Sequence, residues 1–157
     1  IYLRFGKKVM PHLPRLAPRF ELGHASLVRG GNDLSFLASG ETVGPALEAA
    51  ELLAAEGIDC RVLSFHTIKP LDEAAVLQAA SETGCLITVE EHSVSGGLGE
   101  ACASLLLQHG QSVRFQIVGF PDEYTMTGSQ MELFRYYGIS GSGLAQSARR
   151  LRTNPSN

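Results

Sequence analysis

Residues 85–107 read CLITVEEHSVSGGLGEACASLLL, and this stretch constrains the fold more than any other part of the chain. It opens with the apolar, β-branched run Leu86-Ile87-Thr88-Val89, the length of a buried strand. A polar hinge, Glu90-Glu91-His92-Ser93, leads to glycines at positions 96, 97 and 99. Beyond them Leu98, Ala101, Cys102, Leu105 and Leu106 recur at helical spacing, which predicts a helix from about Leu98 to His109. Strand, glycine turn and helix together aim backbone N–H groups at an anion, or let another backbone approach closely. The G-G-x-G spacing matches neither the dinucleotide fingerprint nor the P-loop. The stretch therefore predicts a site, or a tight corner, on an open α/β sheet.

Around that core the chain alternates. Residues 25–29 and 34–39 are strand-like, separated by Gly30-Gly31-Asn32-Asp33, too short a link for a parallel crossover. They must run in opposite directions, and a hairpin is the simplest arrangement. A helix over 43–56 shows Val43, Ala46, Leu47, Ala50, Leu53 and Ala54 on one stripe, with Thr42 as the expected N-cap. Residues 60–65 form the next strand, and Asp72 and Glu73 open a helix to about Glu82. Residues 113–118 alternate as a half-exposed strand near a sheet edge. Ser129 and Glu132 make a capping box for a helix ending at Gly138, and a last helix spans about 144–152. The order predicts a parallel sheet covered on both faces, with one antiparallel member.

Charge and cysteine usage exclude several classes. Residues 1–20 carry five positive charges (Arg4, Lys7, Lys8, Arg15, Arg19) and no acid, while the remainder has eight basic against sixteen acidic residues. So acidic a body argues against nucleic-acid binding. Cys60, Cys85 and Cys102 are odd in number and form no CxxC, so they read as buried reduced thiols of a cytosolic protein. No apolar run has the length of a membrane span. Residues 1–5 alternate like a strand, but Gly6 and the prolines at 11, 14 and 18 separate them from everything downstream. Residues 1–24 are thus expected to be the end of a preceding domain plus a linker, 25–152 the domain proper, and 153–157 a tail.

The succession SGETVGPALEAAELLAAEGIDCRVLSFHTIKPLD, then TVEEHSVSGGLGEA, then VGFPDEYTMTGS with YYGIS, resembles the C-terminal domain of transketolase-like enzymes over residues 25–152. The EEHSVSGGLGE block is most similar to transketolase and to split transketolase C-terminal subunits. Deoxyxylulose-phosphate synthase and the beta subunit of 2-oxo-acid dehydrogenases share the domain and stand as alternatives, as does a separate assembly or effector-binding module.

The resemblance implies a three-layer α/β/α fold with a five-stranded mixed sheet, four strands parallel and one antiparallel. It also replaces the hairpin: 25–29 would pair with 60–65, and the parallel strands would run 60–65, 34–39, 85–89, 113–118. By the same resemblance the complete enzyme moves a two-carbon ketol unit between sugar phosphates in carbohydrate metabolism. It would be a cytoplasmic homodimer using thiamine diphosphate and magnesium. Cofactor and catalytic residues would lie on the preceding pyrimidine- and diphosphate-binding domains or subunit, leaving the isolated chain inactive, with no catalytic residue, cofactor or metal of its own.

Arg4 is the residue the resemblance assigns to the substrate phosphate, a group suited to guanidinium geometry. The competing reading is a solvated arginine beside a linker. The crossover order puts the topological switch between strands 34–39 and 85–89, where open α/β sheets form their crevice. Glu41, Thr42, Glu91, His92, Gly96, Gly97 and Gly99 line that crevice, which either binds a small anion on free N–H groups or docks the neighbouring domain. The carboxylates of Glu41, Glu90 and Glu91 favour docking. Glu90 and Glu91 are adjacent on a strand and cannot act as a carboxylate pair. His92 follows two acids, yet with no paired nucleophile it reads as structural, and His66 likewise. His12, His24 and His109 have no metal-site spacing.

Overall fold

The structure, a computed structural model, describes residues 2–6 and 20–153. The expectations for the linker and for His12 therefore fall largely or wholly outside the described residues.

The strands are β1 (Ser26–Arg29), β2 (Leu34–Ala38), β3 (Cys60–Ser64), β4 (Cys85–Ser93) and β5 (Arg114–Phe120). They form one sheet in the order β1-β3-β2-β4-β5, antiparallel only between β1 and β3. The five-stranded mixed sheet implied by the resemblance is present, and the hairpin suggested by the short link at 30–33 is not. That link crosses the start of β3 instead. Asn32 and Asp33 donate their amides to the Asp59 carbonyl, and Asp59 returns its own to the Asp33 carboxylate. Gly31 makes the crossing possible, because a Cβ there would collide with the Cys60 carbonyl carbon.

Helices α1 (Val43–Ala54), α4 (Gln130–Tyr136) and α5 (Gly141–Thr153) cover one face. Helices α2 (Glu73–Thr83) and α3 (Leu98–Gln108) cover the other. Strand alternation divides the core accordingly. Phe36, Val62, Ile87 and Val89 face α1 and α5, while Leu37, Leu63 and Leu86 face α2 and α3. Val43, Ala46, Ala50 and Leu53 form the buried stripe of α1 as expected, with Ala49 joining it and Ala54 exposed.

Three local expectations change. Thr42 is not a side-chain N-cap: it ends a 3-10 turn, Gly40–Thr42, that runs straight into α1 with helical backbone angles. Helix α5 begins three residues earlier than its apolar pattern suggested. Gly141 and Gly143 are in its first turn because Glu48 and the Gly138 backbone approach too closely for a side chain. It continues through Thr153, the first residue assigned to the tail. Residues 2–6 form no strand, having no strand partner among the described residues. The capping box at Ser129 and Glu132 is present, and Cys60, Cys85 and Cys102 are free and buried.

Candidate functional site

Strand alternation sends the two glutamates at the end of β4 in different directions. Glu90 turns inward and is 3 % exposed. Its carboxylate accepts the amides of Leu98 and Gly99, each at 2.9 Å, at the positive end of the α3 dipole. The glycine cluster makes room for this contact. A Cβ on Gly97 would fall on the Glu90 carboxylate, and one on Gly99 would run into the Ile117 side chain. Gly96, at φ +78°, turns the chain back, and its amide is held by the Glu100 carboxylate at 2.7 Å. The anion that this motif invites is therefore one of the chain's own side chains. The sequence pattern counts Glu90 only among the acids that favour docking and hides this role; a strand-end acid eight residues before a helix start is the available signal.

The crevice between β2 and β4 is closed from below by Thr42. Its hydroxyl lies 2.8 Å from the Val89 carbonyl and 2.9 Å from the Ser39 carbonyl, with one proton shared between them, and Ser39 donates its amide to Val89 at 3.0 Å. Above this floor the carboxylates of Glu41 and Glu91 converge on one group that the sequence does not single out, the side-chain amide of Gln130. It sits 2.9 Å from Glu91 Oε1 and also donates to Glu41 Oε2. The Ser129 capping box fixes the start of α4 and so places Gln130 there.

Arg4 arrives at the same place. Its Nη1 donates to the Glu91 carbonyl at 2.8 Å, and Gly6 lies so close to the Glu41 carboxylate that a Cβ could not be accommodated. The structure thus brings together Arg4, Glu41, Thr42 and Glu91. His92 is exposed, its Nδ1 donating to the Ser93 carbonyl at 3.0 Å, and it meets none of them through a hydrogen bond.

Elsewhere His66 stacks on Phe20 with ring centroids 4.3 Å apart, and His24 lies 3.7 Å from both Glu21 and Asp72. Burial pushes the Cys60 thiol up to about 12. Burial does the same to Cys102, with the Glu90 charge adding to the effect. Among the described residues no three His, Cys, Asp or Glu side chains converge as a metal site, and no helix is long and apolar enough to cross a membrane. The crevice does not fit a diphosphate with its magnesium. The α3 amides are engaged by Glu90, and the nearest carboxylates, Glu41 and Glu91, share one amide and form no three-ligand set.

Known proteins share the fold of this chain. The family model described as transketolase, C-terminal domain, matches residues 23–144. An apulose-4-phosphate transketolase subunit of Phocaeicola vulgatus is 40% identical over 149 residues, covering 94% of the chain and 47% of that protein. The 1-deoxy-D-xylulose-5-phosphate synthase of Heliobacterium modesticaldum is 42% identical over 130 residues, 83% of the chain and 20% of that enzyme. A solved structure of split gene transketolase, as an inactive beta4 tetramer, superposes with a TM-score of 0.80 at 33% identity, over 91% of the chain and 46% of its counterpart. The chain spans less than half the length of each of these relatives.

Proposed function

Since the chain belongs to the transketolase C-terminal domain family, we propose that it serves a complete enzyme that transfers a two-carbon ketol unit between sugar phosphates. Thiamine diphosphate and magnesium would be bound by pyrimidine- and diphosphate-binding domains or a subunit that this domain docks. The chain's own part is assembly, plus one substrate contact: Arg4 takes the substrate phosphate. The observation that carries this reading is the seating of Arg4 on the switch-point crevice of a domain of this family. Arg4 donates there to the Glu91 carbonyl, and the carboxylates of Glu41 and Glu91 belong to the same crevice, so it favours a neighbouring polypeptide over a free anion. The relative from Phocaeicola vulgatus is named as one subunit of a transketolase, which supports a partner subunit here, and the tetrameric neighbour supports an oligomer.

The test is reconstitution with the polypeptide that supplies the cofactor-binding domains. Ketol transfer from a ketose phosphate to an aldose phosphate is expected only from the assembled enzyme. Calorimetry should detect no micromolar binding of thiamine diphosphate and magnesium to the 157-residue chain alone. Turnover or tight cofactor binding by the isolated chain would overturn the reading. A deoxyxylulose-phosphate synthase is the second reading, favoured by the 42% identity to such an enzyme. Release of carbon dioxide from pyruvate by the assembled enzyme, without ketol transfer, would select it.

A further inference from the structure

Gln130 is the only side chain that touches both carboxylates of the crevice among the described hydrogen bonds. A primary amide nitrogen carries two N–H groups, one for each of Glu41 and Glu91. Without that donor two like charges would face each other across the crevice and spread apart. The two acids also form the seat of residues 4–6: the Glu91 carbonyl holds the Arg4 guanidinium, and the Glu41 carboxylate lies against Gly6. The sheet does not hold Glu91 by itself. The regular pairing of β4 with β5 stops at Val89 and resumes only at Ser93, so the peptide that binds Arg4 falls in an irregular stretch. What restrains it is the neighbouring anchorage: Glu90 tied to α3 on one side, and the Glu91 side chain tied to Gln130 on the other.

We propose that Gln130 is a positioning residue: by clamping Glu41 and Glu91 it fixes the carbonyl that orients Arg4, and so sets how well the complete enzyme holds its substrate phosphate. This inference rests on the reading of Arg4 as the phosphate contact. Gln130 itself touches no substrate. The clamp makes α4, an element remote in sequence from Arg4, part of the apparatus that recognises phosphorylated substrates.

Three variants in the assembled enzyme test it. Gln130→Met keeps the length and removes both N–H groups; Gln130→Glu adds a third carboxylate; Gln130→Lys restores a donor between the two acids. Gln130→Met is expected to raise KM for phosphorylated substrates about tenfold, with kcat within about twofold and unphosphorylated substrates unaffected. Gln130→Glu should exceed that, and Gln130→Lys should fall close to the parent. Combined with Arg4→Ala, Gln130→Met should add little, because the clamp acts through Arg4. Full additivity, or a loss in kcat shared by all substrates, overturns the inference while Arg4→Ala remains selective for phosphorylated substrates. If Arg4→Ala is itself unselective, the phosphate reading falls, and the clamp is judged on the chain alone. There, the side-chain N–H resonances of Arg4, which donates to the Glu91 carbonyl, should move toward free-arginine values in Gln130→Met and Gln130→Glu but not in Gln130→Lys. Unchanged Arg4 resonances in all three would dismiss the clamp.

Discussion

The carboxylate of Glu90 receives the amide of Gly99 at 2.9 Å, across nine positions of sequence, and so joins the end of β4 to the start of α3. A charged acceptor at the end of a helix dipole, shielded from water, makes a stronger hydrogen bond than the same group at the surface. It also satisfies two of the orphan donors of α3 internally. A glycine turn that reads as a ligand cradle is thereby a structural joint.

Replacing Glu90 should be among the costlier single changes in the chain. Glu90→Ala leaves two buried amides without their acceptor and should lower unfolding stability by about 2–4 kcal/mol. Glu90→Gln keeps one acceptor and should cost about 1–2 kcal/mol. Urea midpoints at neutral pH measure both. Equal stability of parent and Glu90→Ala would mean that the burial of this charge consumes all that its hydrogen bonds contribute.

The glycines of this region should separate by mechanism. Gly97 has an ordinary φ of −100°, so Gly97→Ala is costly only through collision with the Glu90 carboxylate, by about 1–3 kcal/mol. Gly96→Ala meets open space but at φ +78°, for about 1–2 kcal/mol. Gly44 lies in α1 with nothing near its missing Cβ, and Gly44→Ala should stabilise by up to about 1 kcal/mol. Thermal or urea unfolding of the three gives the order; a destabilising Gly44→Ala would contradict it.

What the residues reveal beforehand depends on the range of the interaction. The capping box spans three positions and the β4 strand carries its own apolar run, so both are plain in the sequence. The pairing of β1 with β3 is different: residues 25–29 alternate alike whether they pair with a neighbour in sequence or with a strand beyond α1, and family resemblance supplied the choice. Gly31 carries the deciding signal, a glycine where one backbone crosses another, but it looks like any turn glycine. Thr42 has the composition of an N-cap, yet its hydroxyl proton is shared between the carbonyls of Ser39, just after β2, and Val89 of β4. Gln130 meets its acids across 89 and 39 positions, a distance no local pattern reports.

The cysteines should stay silent to small thiol-specific disulfide reagents at pH 8 and react only on unfolding. Burial raises all three thiols above their ordinary value of 9.0, Cys60 and Cys102 to about 12. The folded state thus binds these protons more tightly than the unfolded chain. The resulting stability is complete below pH 9 and drains away between pH 9 and about 12. Urea midpoints at pH 8 and 10.5 should fall more steeply for the parent than for Cys60→Ala/Cys102→Ala; parallel slopes would exclude the thiols as the cause.

At acid pH the ion pair between Glu56, just beyond α1, and Arg149 of α5 should weaken. The hydrogen bond from Arg149 holds the Glu56 carboxyl below its ordinary 4.5, with Nε at 3.0 Å. A lowered carboxylate contributes stability above pH 4.5 that is lost as the pH falls through the folded value. Arg149→Gln should therefore lower the neutral value slightly and leave the acid value unchanged, flattening the acid limb by that same small amount, since exposed pairs are weak. Raising salt to about 0.5 M should erase most of the difference. Persistence of the full acid limb in Arg149→Gln would assign it to other carboxylates.

The anion reading of the crevice can be tested by emptying the seat that Glu90 occupies. In the parent chain the donors that would bind a phosphate are engaged. Leu98 and Gly99 donate to Glu90, Gly96 to Glu100, and Thr42 to Ser39. Phosphate below millimolar concentrations should therefore leave the amide shifts of residues 40–44 and 92–100 in place. Glu90→Ala removes the internal anion and leaves a small cavity with two amides pointing into it. Formate, the bare head of the missing side chain, fits such a space and restores a negative charge at the α3 terminus. It should raise the melting temperature of Glu90→Ala in proportion to the logarithm of its concentration, as a ligand of the folded state must, and leave the parent unchanged. Shifts in the parent with phosphate, confined to those two loops, would reinstate the crevice as a ligand site. Failure of formate to rescue the variant would show that water already fills the place of the carboxylate.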